Sequence, residues 1–466
     1  MNVLGAIVAL VWIARIIHNT LAFIQLWWVK EYRFDRMLIH LKTDQGRRIY
    51  ILPFRGLKIS PKTIGLAAFS LVMLIWLYGL LPYHPLVRLL ILDILSFPLT
   101  ALLVCIVGIP QWMYHKIVIA LAIRKLRNHK NLFVIGITGS YGKTSTKEYL
   151  ATILSSEYKV LKTEASKNSP IGIAEVVMKS LRPYHNVFIV EMGAYKIGEI
   201  AQMSKMVQPQ VGIITAINEQ HQDLFGSIEN TIKAKYELLA GLTGNRIAIM
   251  IGGNPHIDDM ISWAKKDKLN VRGARITNVT QKPDGLSFRV DSAYVYAPVI
   301  GIHQAHNIAL AITAAVSAGM NLADAAKAAE NISPIDRMMK PIKGINGSTF
   351  IDDTFNNNPD AAIAAIDYLA TTKGRKILVF QPMIELGAYA ESAHRRVAEA
   401  ASRICDEIIL TNKNYYDAFM KGISKKDVVR VCNPGEASAF IRDSVKPVDS
   451  ILFKGKEAQN VLRLLL

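Results

Sequence analysis

Cysteine is scarce in this chain. Cys105, Cys405 and Cys432 are the only three in 466 residues, too few and too scattered for a disulfide framework or a zinc site. A chain so built belongs, in its chemistry-bearing part, to a reducing compartment. Acidic residues are short as well: 37 Asp/Glu face 55 Lys/Arg, a net charge of +18. The shortage is uneven. The first 130 residues hold sixteen Lys/Arg against four Asp/Glu, so +12 sits there and +6 is spread over the other 336. That basic end is also the most apolar, a combination that argues for membrane segments with basic cytoplasmic flanks rather than a nucleic-acid binder. Internal repeats and low-complexity linkers are absent too.

What is present begins with three apolar runs. Residues 3–28 are interrupted by Arg15 and His18 and end in Trp27-Trp28; residues 64–81 carry no charge; residues 86–109 carry Arg88 and Asp93. A spanning helix needs about 20 apolar residues, and paired tryptophans suit an interface. A signal peptide is the rival for the first run, although no small-residue cleavage site follows. A helical hairpin entering one leaflet is the rival for the third. Between the first two runs, residues 30–62 hold nine Lys/Arg and three Asp/Glu. The positive-inside rule therefore puts 30–62 in the cytoplasm and the N-terminus outside, with residue 110 onward inside. Residues 112–130 read as a basic amphipathic helix on the membrane surface. The expected organisation is a transmembrane region of about three helices over 1–111, this linker helix over 112–130, a first α/β domain over 131–335 and a second over 336–466.

The stretch from Leu132 to Thr146 organises the rest. Leu132–Ile137 is a β-branched, apolar run, as in a buried parallel strand. It breaks into Thr138-Gly139-Ser140-Tyr141-Gly142, then into Lys143-Thr144-Ser145-Thr146, a helix start. Strand, glycine loop and helix N-terminus together make an anion site. Lys143 is placed to reach β- and γ-phosphates, and the Thr144 hydroxyl to ligate Mg²⁺. The strict phosphate-loop spacing asks for glycine at 137, where this chain has Ile137. Downstream, strands and helices alternate as in a doubly wound α/β fold. Strands are expected at Val187–Glu191, Val211–Thr215 and Arg246–Ile251, with a weaker strand-rich patch over 271–300. The second unit's strands are expected at Thr349–Asp352, Lys376–Phe380, Glu407–Leu410, Val428–Val431 and Ser450–Phe453.

These residues carry a resemblance. Thr138 to Glu148 resembles the phosphate loop of the Mur ligases, which join amino acids or peptides to cell-wall precursors with ATP. Glu191-Met192-Gly193-Ala194 with Gly198-Glu199-Ile200 resembles the second motif of the MurF branch, which adds D-alanyl-D-alanine. Phe225–Glu229, Ala234–Glu237, His303, Asn307–Leu310, Ile351–Pro359, Glu385-Leu386-Gly387, His394 and Lys454-Gly455-Lys456 follow in family order. The resemblance covers about 131–466. It implies a Mur-type central ATPase domain and a C-terminal Rossmann-like domain, with ATP and Mg²⁺ as cofactors.

Residue by residue, it implies the following. Gly139, Ser140, Gly142, Lys143, Thr144 and Ser145 hold phosphates. Glu191, ending a strand at the carboxyl edge of the sheet where such folds bind ligands, joins Thr144 as a Mg²⁺ ligand. His221 falls at a metal-site histidine. Lys235, solvated on sequence alone, falls where the family carries a carbamylated lysine, a carboxylate-like metal ligand. Asn307 meets adenine, with His303 one helical turn before it. Arg337 meets phosphates at the domain junction. Asp353 contacts nucleotide at the ribose, with Asn356 beside it, and Asn168 and Ser169 sit in a loop that holds the acyl acceptor. The catalytic set is Lys143, Lys235, His221 and Arg337.

Three departures stand out: Asp336 replaces a glycine before Arg337, Asn218-Glu219-Gln220 replaces small residues before His221, and Gln381-Pro382-Met383 replaces Gly-Asp-Met. The family's domain for the UDP sugar nucleotide also has no counterpart in 1–130. The expected protein is a membrane-anchored, MurF-like amide ligase in the cytoplasmic membrane, catalytic domains inside. It would act on a cell-wall precursor through an acyl phosphate, with D-alanyl-D-alanine as an example of the amine. Lacking nucleotide-end contacts, its acceptor is expected to be lipid-linked; a soluble UDP-linked peptide is the alternative. The rivals are a membrane-bound poly-γ-glutamate-type synthetase and a non-catalytic nucleotide-binding scaffold.

Overall fold

The structure is a computed structural model that describes residues 3–30, 32, 34–41, 46, 49–51, 56–164, 167–218, 225–282, 284–384, 386–424 and 428–466. His221, Glu385 and, in the basic stretch, Arg33, Lys42, Arg47, Arg48 and Arg55 lie outside the described residues. The chain divides into two compact units, residues 1–117 and 118–466.

The first unit is helical. Val3–Val29, Pro61–Leu80 and Pro85–Arg127 are each long and apolar enough to cross a membrane. Ser60 starts the second of these with a capping box, closed reciprocally by Thr63. The two charges that weakened the third run find partners. Asp93 is buried; Arg15 Nε donates to its Oδ2 at 2.9 Å, Trp12 Nε1 to Oδ2 at 3.2 Å and Asn19 Nδ2 to Oδ1 at 3.2 Å. A carboxylate among apolar helices persists only when paired in this way. Arg88 Nε donates to the Tyr83 carbonyl at 2.6 Å and Nη1 to that of Tyr78 at 3.3 Å.

The third apolar run and the expected linker helix are one 43-residue helix, Pro85–Arg127. The reading of 112–130 as a membrane-surface helix needs correction over its last turns. Val118, Ile119, Ala122, Ile123 and Leu126 share one face, and that face packs on the core of the following α/β domain. Helical spacing marks an apolar face without saying what covers it.

The second unit holds two doubly wound sheets. In the first, β1 (Phe133–Thr138), β2 (Val160–Lys162), β3 (Val187–Glu191), β4 (Val211–Ile214), β5 (Ile247–Ile249) and β6 (Asn270–Arg272) run parallel in the order 2-3-1-4-5-6. Alternate residues feed opposite faces: Ile135, Ile137, Ile189 and Ile213 enter one core, Val134, Phe188, Val190 and Ile214 the other. Ile137 is thus a buried strand residue, so the loop needs its first glycine only at 139. The patch over 271–300 includes an antiparallel sheet of β7 (Ile276–Lys282), β8 (Gly285–Val290) and β9 (Ala293–Ala297). Its Leu286, Phe288 and Val295 join the first of those cores.

The second sheet orders β10 (Lys340–Lys343), β11 (Thr349–Asp353), β15 (Ser450–Lys454), β12 (Lys376–Phe380), β13 (Glu407–Leu410) and β14 (Val429–Val431). Only β10 is antiparallel; it carries Pro341, tolerated because the strand is an edge. The short edge strands β2, β6 and β10 carry too few residues for a periodic signal.

Candidate active site

The phosphate loop is held from β4. Ser140 N donates to the Ala216 carbonyl at 2.7 Å, Asn218 N to Ser140 Oγ at 3.1 Å, and the Thr215 hydroxyl to the Tyr141 carbonyl. Glycine is required twice. A Cβ on Gly139 would stand 2.0 Å from Thr215 Oγ1, and one on Gly142, whose φ is +80°, 2.5 Å from Asn307 Oδ1. The helix Lys143–Leu154 starts at Gly142 with no side-chain cap, leaving its first amides for an anion.

Cations gather under this loop. Lys143 Nζ donates to the Gly139 carbonyl at 2.7 Å and to that of Ser140 at 3.0 Å. Lys235 Nζ donates to the same Gly139 carbonyl at 3.0 Å. Lys235 is buried, which corrects the expectation of a solvated side chain: its helix, Ile228–Ala240, turns that face toward the loop. Burial, followed by the Lys143 charge, holds the Lys235 amine well below the ordinary lysine range. Burial also lowers Lys143, and Glu191 partly restores it. At the end of β3, Glu191 is buried. Its Oε2 accepts from Thr144 Oγ1 at 3.0 Å and its Oε1 from Asn168 Nδ2 at 3.1 Å. Lys147, unassigned from sequence, is buried with Nζ 3.3 Å from Glu191 Oε2.

Opposite stand the strand ends of the second sheet. Lys454 Nζ donates to Asp353 Oδ2 at 2.5 Å, both residues buried. Arg337, with φ of +65°, spends its Nε and Nη2 on the Thr354 hydroxyl and carbonyl at 3.1 and 2.8 Å. A left-handed non-glycine residue at a domain junction is the kind of stored strain that clusters at functional sites. Asp336, the residue in place of glycine, has no positive φ and pairs outward with Lys340.

A cleft of about 610 Å³ joins the two sides. From the loop it is lined by Ser140, Gly142, Lys143, Thr144 and Ser145, and beside them by Asn168 and Glu191. His303 and Asn307 line it from the loop's own side, and Arg337, Asp353 and Asn356 from the side of the second sheet. Gly139 and Lys235 lie beneath this lining, joined by their hydrogen bond. Ser169 is spent elsewhere: its hydroxyl caps the helix Pro170–Ser180. Asn307 already bridges, donating to Gln304 Oε1 at 3.0 Å and accepting from Thr146 Oγ1 at 3.4 Å. Burial pushes the His303 imidazole down to about 4, with Asp353 opposing the shift. Sequence reasoning missed Lys147, Gln304 and the pairing of Lys454 with Asp353; Lys147 and Lys454 lay inside quoted motifs, but nothing local marks a lysine as buried.

No group of three or more His, Cys, Asp and Glu converges on a metal position among the described residues. The oxygen pair of Thr144 and Glu191 nonetheless fits Mg²⁺, which takes few protein ligands and completes its shell with phosphates and water.

A phosphate loop on one doubly wound sheet, facing the strand ends of a second across a cleft, defines a two-domain nucleotide-binding enzyme. The Mur ligase middle domain matches residues 137–315, and the Mur ligase, glutamate ligase domain matches 337–457. The UDP-N-acetylmuramoyl-tripeptide–D-alanyl-D-alanine ligase of Synechocystis is 29% identical over 328 residues, 70% of this chain and 72% of the relative. Its Escherichia coli counterpart is 32% identical over 283 residues, 58% and 62%. The crystal structure of MurF from Acinetobacter baumannii superposes with a TM-score of 0.70 at 26% identity, covering 75% of this chain and 80% of that one. The chain belongs to the Mur ligase family of ATP-dependent peptide ligases.

Proposed function

We propose that this protein is a membrane-anchored ligase that uses ATP and Mg²⁺ to join an amine to a carboxylate of a cell-wall precursor through an acyl phosphate. The observation that carries it is the Thr144–Glu191 contact at 3.0 Å beneath a phosphate loop that also gathers Lys143 and Lys235. D-alanyl-D-alanine is the amine that the relatives' names supply.

In the first step an acceptor carboxylate oxygen bonds to the γ-phosphorus as the bond to the β,γ-bridging oxygen breaks, and ADP leaves. The amine nitrogen then bonds to the acyl carbon, the carbon–oxygen bond to phosphate breaks, and an amine proton departs with the phosphate. The protein contributes positioning and charge. The loop amides and Lys143 hold the β- and γ-phosphates. Arg337 exchanges its Thr354 bonds for phosphate oxygens. Thr144 and Glu191 would hold Mg²⁺, which when bound neutralises charge on the transferring group. Lys235 suits a carbamate, because carbon dioxide adds to the neutral form of an amine, and burial, with the Lys143 charge beside it, holds this lysine's pKa well below the ordinary range. His221 belongs to the same metal side by family position. Asn307 and His303 face the base, Asp353 and Asn356 the ribose, and Asn168 links the metal side to the acceptor loop.

Three helices of spanning length and apolarity, with the basic stretch after the first, support anchoring with the catalytic unit inside. The family matches cover 137–315 and 337–457; on this reading the apolar region before them serves as an anchor in place of soluble contacts to the acceptor. Confining enzyme and acceptor to one surface raises effective concentration without a new side-chain contact, which favours a lipid-linked acceptor.

The test is mass spectrometry of products after incubating the full-length protein in lipid with ATP, D-alanyl-D-alanine, and UDP-linked or lipid-linked precursor peptide. A single added dipeptide supports the reading. A ladder of γ-linked residues means a polymerising synthetase, and ATP bound without turnover means a scaffold. Equal kcat/KM for the full-length protein and a 118–466 variant, which keeps the helical turns packed on the α/β core, on the UDP-linked peptide, with no activity on the lipid-linked one, rejects the lipid-linked acceptor.

A further inference from the structure

Lys147 takes no part in the steps above, and its surroundings are unusual. It stands in the second turn of the phosphate-loop helix Lys143–Leu154 and is fully buried. Its Nζ lies 3.3 Å from Glu191 Oε2 and 3.2 Å from Glu148 Oε1, yet has no aligned hydrogen-bond acceptor. A lysine ammonium out of water persists only beside an opposite charge. Glu148 divides itself between Lys147 and the more exposed Lys162. Glu191 is the fully enclosed partner, and Thr144 and Asn168 already fix its two oxygens.

At 3.3 Å, without a hydrogen bond, the ammonium acts on the Glu191 carboxylate through charge. The ammonium also repels a dication, but the phosphates of a bound nucleotide offset that repulsion. We propose that Lys147 is a positioning residue: its buried ammonium holds the Glu191 carboxylate at the metal side of the phosphate loop, so that the nucleotide's divalent cation meets a preset oxygen. This rests on the reading of Glu191 as a metal ligand.

The test uses Mn²⁺, followed by electron paramagnetic resonance, on the full-length protein with a non-hydrolysable ATP analogue. Lys147→Met is expected to weaken Mn²⁺ binding at least tenfold, while binding of the analogue in EDTA changes less than twofold. On a Glu191→Gln background the same substitution is expected to cost nothing further, and the double variant should melt above Lys147→Met alone, because it leaves no buried charge unpaired. Mn²⁺ affinity that is unchanged or tighter in Lys147→Met overturns the proposal, as does an equal loss in both backgrounds. If Lys147→Met does not fold, the double variant decides: Mn²⁺ affinity equal to that of Glu191→Gln supports the proposal, and a lower one overturns it. A Glu191→Gln variant with wild-type Mn²⁺ affinity removes the metal-ligand reading, and the proposal with it.

Discussion

Around the carboxyl ends of β1 and β3, Lys143 and Lys235 share the Gly139 carbonyl and Lys147 stands between Glu191 and Glu148, three lysines beside two carboxylates. At the carboxyl ends of β11 and β15, one lysine meets one carboxylate, Lys454 and Asp353. The two sheets share a doubly wound plan and a cleft, yet one edge keeps surplus positive charge while the other closes on itself. A surplus of buried cations is unstable alone and suits a polyanion; burial lowers both Lys143 and Lys235. A neutralised pair suits orientation of an uncharged part of a ligand. Architecture therefore says where a ligand sits, and charge says which part of it faces which sheet.

Lys143 carries the largest expected effect. Lys143→Ala should lower turnover by about 10³-fold or more, since positioning and charge carry phosphoryl transfer. Steady-state turnover with saturating ATP and acceptor measures it, and near-wild-type turnover would remove the special status of the first sheet. Lys235→Ala should lose about 10²–10³-fold and recover in part when a short carboxylic acid replaces the carbamate. A mass spectrum showing bare lysine under bicarbonate, with the alanine variant fully active, argues against the carbamate.

On the other side of the cleft the larger effect should be on stability. Lys454→Met leaves Asp353 buried and unpaired, a loss of about 3 kcal/mol or more. Adding Asp353→Asn should recover most of it in denaturant titrations. Lys143→Ala, which removes a desolvated surplus charge, should leave stability nearly unchanged; similar losses in the two variants would erase the contrast.

The smallest effect is a pH dependence at the seam. His303 stays neutral in the folded protein down to about 4, whereas an unfolded histidine takes up a proton near pH 6.5. Below that pH the unfolded state binds the extra proton, so stability falls as pH falls. Between pH 6.5 and 5 the loss from this group is up to about 2 kcal/mol. Urea titrations at pH 7 and 5 measure it. His303→Gln should flatten the slope, and an unchanged slope would separate His303 from the acid response.

Local chemistry was legible wherever a few adjacent residues carry it. The apolar run 132–137, the glycine loop and Lys143-Thr144 marked β1, the loop and the helix start, and most longer strands followed from their own residues. Legibility ended where a partner lies far along the chain. Asp93 looked like a flaw in an apolar run until Arg15, 78 positions away, was beside it. The apolar stripe on 118–126 was plain, but its cover was not. Lys235 shows the limit most clearly: its motif position was known, yet solvation and burial read alike in a lysine, and only the packing of Ile228–Ala240 under the loop separates them.

By itself the sequence determined which segments are apolar, which alternate between strand and helix, and where a phosphate could be cradled, because periodicity and loop chemistry act over a few residues. Tertiary structure alone decided which lysines lose their water, which carboxylate holds them, that Lys454 reaches Asp353 across 101 positions, and that Arg337 takes a left-handed backbone at the junction. Desolvation and pairing depend on neighbours in space, and the order of residues along the chain does not contain those neighbours until the two sheets have formed.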